Sequence, residues 1–161
     1  MVRFVASREI AASVSAIWEI VSEPARFPEW FDGVESSLTS GESGRGQTHV
    51  VAGAWGDQRF EIERLVEHWE PPRLVRWRDS AERLDGVPPT DMWHSGSWLS
   101  VALARAAEGT QATVEGRQVP ATEEWRGRLL ASVPMIEARL ASSLERLARL
   151  VEPDATQRRP A

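Results

Sequence analysis

The chain has 161 residues, a formal net charge of −5 and no Cys. A chain of this length can bury an ordinary hydrophobic core, so we expect one domain over residues 1–152 and a flexible polar tail over 153–161. The absence of Cys excludes disulfides, thiolate metal sites and cysteine nucleophiles, and it fits a reducing cytoplasm, where we place the protein. The dispersed negative charge argues against nucleic acid as a partner, because phosphate binding needs a basic patch.

Composition also limits the available side-chain chemistry. The 19 basic residues are all Arg, which excludes Schiff-base catalysis by a lysine of the chain. Eight Trp and no Tyr give ample aromatic surface but no phenol to act as acid, base or oxyanion donor. No stretch approaches the roughly eighteen consecutive apolar residues of a membrane helix, so we predict no membrane span.

The N-terminal part of the chain is typical of a strand followed by a broken helix pair. Alternating apolar residues predict a strand over 3–12. Ser13 is placed to cap a helix over 14–22, whose apolar residues recur at helical spacing on one face. Pro24 ends this helix, and a second short helical turn is predicted over 25–31.

Breaks that contain Gly, Pro or Asp divide the middle of the chain into strand-like runs, as in an antiparallel meander. The connection over residues 80–92 is the only one long enough to form a lid or a pocket rim. The predicted strands cover residues 34–40, 47–54, 58–69, 74–79, 93–105 and 110–119.

After Pro120 the pattern changes to that of a helix. Residues 135–151 form a strongly amphipathic helix, with apolar side chains at helical spacing. Pro134 is expected to kink this helix or to divide it from the preceding segment, 124–133.

Short motifs carry a resemblance to a known family. The segment IAASVSAIW at 10–18 resembles a strand that leads into I-x-A-P-x-x-x-V-W, with Ser13 where Pro is usual. FPEWF at 27–31 resembles an F-P-x-W element, and EHWEPPRL at 67–74 resembles the strand–turn–strand pattern e-x-x-P-P-r-r-l. With the closing helix at 134–151, the chain is identified as a member of the SRPBCC or START-like superfamily, of the polyketide cyclase/dehydrase type.

The resemblance implies an α+β helix-grip fold. In this fold a curved antiparallel sheet of about seven strands wraps around a long C-terminal helix, and two short helices lie between strands 1 and 2. The resemblance also implies a deep cavity between sheet and helix that holds bulky apolar ligands, such as lipids, steroids, plant hormones or aromatic polyketides. The fold alone does not distinguish binding from catalysis.

Strand alternation indicates which polar residues face the interior. On the third strand of the meander, Arg64 and His68 share a face with Phe60, and a guanidinium among apolar side chains must be paired or used. Asp79 shares a face with Trp77 on the next strand, so it is the candidate partner of Arg64. The candidate catalytic residues are therefore Arg64, Asp79 and His68, and the alternatives are a structural ion pair and a solvated strand-end histidine.

Aromatic rings and small polar side chains supply the candidate ligand contacts. Trp rings near turns and strand ends suit a planar ligand, and packing in the core is the alternative for each of them. Trp30 leads this set, because the Pro breaks are expected to turn its segment toward the pocket mouth. The candidate ligand-binding residues are Trp30, Phe31, Phe60, Trp77, Trp93, Ser95, Ser97 and Gln118.

An aldol-type ring closure needs a group that polarises a carbonyl, a base for the α proton and a group that holds a water or hydroxyl. The candidates, in that order, are Arg64; Asp79 or His68; and Ser95 or Ser97. The resemblance implies that the related aromatase/cyclases commonly pair an Arg with a Tyr. This chain has Val34 in that region and no Tyr elsewhere.

The predicted function is binding of a hydrophobic, aromatic or polyketide-like small molecule in an internal cavity, with promotion of its cyclisation or dehydration left open. The alternatives are a non-catalytic carrier, a self-resistance protein that sequesters a natural product, and a co-chaperone-like module that exposes an apolar patch. His49 and His94 lack metal-ligand spacing, so we predict no metal and no other cofactor. We expect a monomer or a homodimer.

Overall fold

The computed structural model describes residues 1–89 and 92–153, and this part of the chain forms one antiparallel sheet and three α-helices. A single 3-10 turn, Pro24–Arg26, separates the first two helices. The elements are β1 (Val2–Ile10), α1 (Val14–Val21), α2 (Phe27–Trp30), β2 (Val34–Ser40), β3 (Thr48–Trp55), β4 (Gln58–Glu70), β5 (Leu74–Leu84), β6 (His94–Ala106), β7 (Gly109–Pro120) and α3 (Glu123–Val151).

The seven strands lie in the order β1-β7-β6-β5-β4-β3-β2, and every neighbouring pair is antiparallel. Strands β2 to β7 therefore form a meander, and β1 adds to its far edge beside β7. The sheet curves around α3, and the two short helices lie between β1 and β2. The predicted helix-grip fold is confirmed.

Local sequence explains the broken helix pair. The Ser13 hydroxyl accepts a hydrogen bond from the amide of Ala16 at 3.1 Å and caps α1 as predicted. Pro24 opens the 3-10 turn, where the Glu23 carboxylate caps the amide of Ala25. Helix α2 is a single turn that buries Phe27 and Trp30.

Helix α3 runs without interruption through Pro134. Of the two effects predicted for Pro134, division of the helix is therefore wrong, and a kink stays a prediction. The Thr122 hydroxyl caps its first turn by accepting from the amide of Trp125 at 3.2 Å. Before Pro134, Leu129 alone is buried in α3, whereas the later turns bury a row that includes Leu140 and Leu144. The second half of α3 is thus the part that the sheet grips.

Strand β5 is longer than predicted and takes up the first part of the expected 80–92 connection. Residues 80–84 belong to β5, and Leu84 pairs with Phe60 of β4. The small and charged residues of this extension do not resemble a buried strand, which is why the sequence indicated a loop. Residues 90 and 91 and the tail from residue 154 lie outside the described residues, so the lid and the flexible tail stay predictions.

Candidate functional site

Three β-bulges determine which side chains reach the interior near the predicted site. A bulge adds one residue to one strand, and it reverses the in–out alternation beyond that residue. The extra residues are Glu67 on β4, Ser80 on β5 and Ser95 on β6. The bulges at Glu67 and Ser95 change the outcome for predicted site residues, and the bulge at Ser80 brings an unpredicted residue inward.

The bulge at Glu67 turns His68 outward. The imidazole is 44% exposed and lies 3.4 Å from the carboxylate of Glu70. The next residue, Trp69, turns inward instead and is partly buried against the core. The predicted placement of His68 on the same face as Arg64 is therefore wrong, because the extra residue reverses the alternation between them.

Arg64 and Asp79 do form the expected buried pair. Arg64 Nε donates to Asp79 Oδ1 at 2.9 Å, and both side chains are less than 10% exposed. The hydroxyl of Ser97 donates to Asp79 Oδ2 at 2.7 Å, and Gln118 Nε2 donates to that hydroxyl at 3.4 Å. We call these four residues the Arg64 network. It brings together predicted residues from four strands, β4 to β7.

The Arg64 network is not saturated with hydrogen bonds. Arg64 Nη1 and Gln118 Oε1 are buried and have no hydrogen-bond partner among the described residues. A buried polar atom without a partner costs about 1–3 kcal/mol, and more when it carries charge. A water or a ligand oxygen beside Arg64 would remove that cost.

His49 is a buried polar residue that the sequence analysis weighed only as a possible metal ligand. It pairs in register with Arg64 across β3 and β4, and it is 1% exposed. Burial, and secondarily the charge of Arg64, lower the pKa of His49 to about 3, so the imidazole is neutral at pH 7. Neither of its nitrogens has a hydrogen-bond partner in the described part of the chain. Alternation with the buried Val51 would have placed His49 on the inner face.

The predicted aromatic ligand contacts lie mostly in the packed interior. Trp30 and Trp77 are fully buried, and both pack on Phe27 with ring centroids 5.5 and 5.2 Å apart. Phe31 is partly buried beside Trp30, and Phe60 is buried as well. The predicted position of Trp30 at a pocket mouth is wrong, since its ring is part of the hydrophobic core.

Strands β5 and β6 separate beyond their first pairs. Backbone pairing runs from Leu74↔Ala102 to Arg78↔Trp98 and then stops. We call the stretch beyond, where residues 79–84 of β5 face residues 94–97 of β6, the strand gap. Two side-chain hydrogen bonds cross it. One joins Asp79 to Ser97, as described above, and the other joins the buried carboxylate of Glu82 to the imidazole of His94 at 2.6 Å.

The bulges at Ser80 and Ser95 create the second of these bridges. Beyond Ser80, alternation on β5 is reversed, so Glu82 points inward with its side chain 5% exposed. Before Ser95, alternation on β6 is likewise reversed, so His94 points inward and Ser95 is exposed. The predicted grouping of Ser95 with Ser97 is therefore wrong. Strict alternation misses Glu82 and His94.

An open cleft lies at the strand gap. Its volume is about 410 Å³, and Asp79 and His94 form part of its wall together with the partly apolar surface of Met92 and Leu65. A second depression of about 470 Å³ lies at the start of α1, far in sequence from the predicted site. Both depressions open to solvent. The predicted deep internal cavity stays a prediction.

We call the depression at the strand gap the gap cleft. Its complete lining is Leu65, Arg78, Asp79, Ser80, Met92, His94, Ser95 and Gly96.

Trp93 lies next to the gap cleft. It is partly buried, and its ring meets the ring of His94 edge-on with centroids 5.4 Å apart.

Among residues 1–89 and 92–153, no group of three or more potential metal ligands comes together. No helix within the same ranges is long and apolar enough to cross a bilayer.

Several solved structures share this fold. The chain is similar to ginseng major latex-like protein 151 from Panax ginseng, with 11% identity, 94% of this chain and 98% of that chain covered, and a TM-score of 0.74. It is similar to the di-domain ARO/CYC StfQ from the steffimycin biosynthetic pathway, with 12% identity, 94% and 51% coverage and a TM-score of 0.72. A protein in the dynemicin biosynthetic locus, DynU16, gives 24% identity, 91% and 46% coverage and a TM-score of 0.57.

At these identities the structural neighbours show the fold alone, and the chain spans about half the length of StfQ and of DynU16. Comparison with functionally curated proteins gave no match. The family model is more specific, because residues 1–152 match the one described as polyketide cyclase/dehydrase and lipid transport. The chain therefore belongs to the polyketide cyclase/dehydrase and lipid transport family.

Proposed function

We propose that the protein binds a hydrophobic, aromatic or polyketide-like small molecule that carries a carbonyl or a similar oxygen. The gap cleft is the proposed entrance and binding surface. One observation carries this proposal: Arg64 is buried, and its Nη1 has no hydrogen-bond partner among the described residues.

The surroundings of Arg64 favour an oxygen acceptor as its missing partner. Its Nε already donates to Asp79, which lies in the wall of the gap cleft. Arg64 is thus one side chain behind that wall. A guanidinium donates hydrogen bonds and cannot accept them, so the group that meets Nη1 must present an oxygen or another acceptor. A charged donor makes such a hydrogen bond stronger than one between neutral groups.

The apolar part of the ligand would contact Leu65 and Met92 in the cleft wall and the ring of Trp93 beside it. Small-molecule sites commonly combine such apolar walls with a few convergent polar groups. Membership of a family described as polyketide cyclase/dehydrase and lipid transport supports a ligand of this class. StfQ belongs to the steffimycin biosynthetic pathway and DynU16 is a protein in the dynemicin biosynthetic locus, and these two neighbours add support for a polyketide-like molecule.

Catalysis of cyclisation or dehydration would need a base as well as a carbonyl-polarising group. Both oxygens of Asp79 already accept hydrogen bonds, from Arg64 and from Ser97. His68 lies on the outer face. The two bases that the sequence suggested are thus either engaged or misplaced, so non-catalytic binding, as a carrier or a sequestering protein, is the second candidate.

Two ligands of nearly equal shape test the role of Arg64. The probes are 2-acetylnaphthalene, which has a ketone oxygen, and 2-ethylnaphthalene, which lacks it. Tryptophan fluorescence of the purified protein reports binding of each probe. We expect the ketone to bind about tenfold more tightly, since a hydrogen bond from a charged donor is worth about 1.5–3 kcal/mol.

Arg64→Met should remove this preference, because it deletes the donor and keeps most of the apolar volume. Arg73→Met is the matched control, since Arg73 is exposed and pairs with Glu70 outside the cleft. The double variant Arg64→Met/Asp79→Leu removes both charges in case the single variant unfolds. Equal affinity for the two probes in the unsubstituted protein, or a preference that survives Arg64→Met, contradicts the proposal. Native mass spectrometry of the purified protein should reveal a co-purifying apolar molecule.

A further inference from the structure

We propose that Glu82 and His94 form an acid–base dyad at the gap cleft, in which His94 exchanges a proton with the bound ligand and Glu82 positions its ring. This inference rests on the proposed function, since it requires a ligand in that cleft. It supplies the base that Asp79 and His68 do not provide.

The geometry of the pair assigns a role to each nitrogen of the imidazole. His94 Nε2 and Glu82 Oε1 are 2.6 Å apart, and both side chains are 5% exposed. An ionised carboxylate only accepts hydrogen bonds, so in the proposed dyad Nε2 carries the proton that it shares with Glu82. Nδ1 is then the atom that can take up or release a proton. Nδ1 is buried and has no hydrogen-bond partner among the described residues, so a ligand would have to enter from the gap cleft to meet it.

The pair is also in the right place. His94 contributes to the wall of the gap cleft, and Glu82 holds it from the opposite side of the strand gap. Two separate bulges, at Ser80 and Ser95, are required to bring both side chains inward. Bulges interrupt the hydrogen-bond ladder, and they are common next to active sites, where they re-aim side chains.

The other titratable groups near the cleft are less suited to proton transfer. Both oxygens of Asp79 are engaged in the Arg64 network. His49 is a weak base, because burial lowers its pKa to about 3. Arg78 and Arg64 are cations that donate and do not accept protons. His94 remains, with an imidazole Nδ1 that no described residue occupies.

The proton-transfer step balances within the dyad and the ligand. The C–H bond next to the ligand carbonyl breaks, its proton goes to Nδ1 of His94, and its electron pair moves to the carbonyl oxygen to form an enolate. The imidazolium that results is stabilised by the carboxylate of Glu82. Return of the proton to another carbon or to a departing hydroxyl completes an isomerisation or a dehydration.

The probe for this step is 5-nitrobenzisoxazole, a planar aromatic compound that reports on a positioned base. A base removes its C3 proton, the N–O bond breaks, and a coloured cyanonitrophenolate forms without any other reagent. We expect the unsubstituted protein to accelerate this reaction with saturation. His94→Ala should lower kcat about a hundredfold, the lower end of the contribution of a general base, and added imidazole should restore part of the loss.

Glu82→Gln tests the positioning role. It should lower kcat about tenfold and leave KM unchanged, because it affects the transition state and not ground-state binding. His68→Ala is the matched control. It removes a histidine that also lies near a glutamate, but on the outer face, and the rate should not change. His94→Gln provides a second variant if His94→Ala does not fold.

Binding and turnover separate the failure of this inference from that of the proposed function. Fluorescence shows whether each variant still binds 5-nitrobenzisoxazole. Saturable binding without accelerated turnover, or turnover that His94→Ala leaves unchanged, overturns the dyad and leaves the binding function standing. Absence of saturable binding by both 5-nitrobenzisoxazole and 2-acetylnaphthalene overturns the proposed function.

Discussion

Two histidine–glutamate pairs in the described part of the chain lie in opposite environments. His68 and Glu70 lie two residues apart at the end of β4, 3.4 Å apart and 44% and 46% exposed. His94 and Glu82 lie on different strands, 2.6 Å apart and 5% exposed. A single extra residue on each strand decides whether the pair meets water or the interior. We therefore expect the exposed pair to contribute little to stability, whereas the buried pair is the one for which we propose proton transfer.

The largest effect is expected where a buried charge loses its partner in the strand gap. Asp79→Leu leaves the guanidinium of Arg64 buried without its carboxylate, and we expect unfolding to become easier by about 3–5 kcal/mol. Urea denaturation followed by tryptophan fluorescence measures the change. The double variant with Arg64→Met should recover much of the loss. If Asp79→Leu lowered the free energy of unfolding by less than the removal of an exposed ion pair does, water would have to reach Arg64 freely.

Acid should destabilise the protein through His49. The pKa of His49 is about 3 in the folded protein, against an ordinary value of 6.5. Between pH 6.5 and pH 3, His49 therefore binds a proton in the unfolded chain but stays neutral in the folded protein. Stability therefore falls as the pH drops from 6.5 toward 3, by about 2 kcal/mol at pH 5. His49→Phe should flatten this part of the urea-denaturation profile, whereas His68→Ala should not. An unchanged profile in His49→Phe would assign the acid sensitivity to other groups.

The buried histidine–glutamate pair should contribute more to stability than the exposed one. Glu82→Ala removes the side-chain hydrogen bond that His94 makes within the described part of the chain, and we expect a loss of about 1.5 kcal/mol in the free energy of unfolding. Thermal or urea unfolding at pH 7 gives the value. No loss would show that water replaces the carboxylate without cost.

The smallest effect is expected at the exposed pair. Glu70→Ala and His68→Ala should each change the free energy of unfolding by less than about 0.5 kcal/mol, because solvent screens an exposed ion pair. The measurement is the same denaturation series. Glu70 also accepts from Arg73, so a larger loss with Glu70→Ala than with His68→Ala would point to that contact.

The fold was predictable because its breaks are local. Gly and Pro separate the strands, Ser13 caps α1, and the apolar spacing of α3 marks the closing helix. Pro134 misled the prediction, since the long helix tolerates it. Packing on the sheet stabilises the later turns, which outweighs the local cost of one proline.

The site was predictable only as far as the first bulge on each strand. Arg64 and Asp79 lie before the extra residues at Glu67 and Ser80, so simple alternation paired them correctly. His68 and Glu82 lie beyond those residues, and alternation failed for both of them. Nothing at Glu67 or Ser80 resembles the glycine that often marks a bulge. Alternation also cannot tell whether the space inside the sheet is already filled, as it is by Trp30 and Trp77.

The strand gap has a mechanical consequence. Five residue pairs, from Leu74↔Ala102 to Arg78↔Trp98, are the whole backbone connection between β5 and β6. The sheet therefore consists of a three-stranded part, β1-β7-β6, and a four-stranded part, β5-β4-β3-β2. Backbone hydrogen bonds join the two parts at one end, and the Asp79–Ser97 and Glu82–His94 side-chain hydrogen bonds join them at the other. In hydrogen exchange, we expect the backbone amides that face the strand gap to be among the first in the sheet to exchange. The two parts of the sheet can separate there without breaking backbone hydrogen bonds.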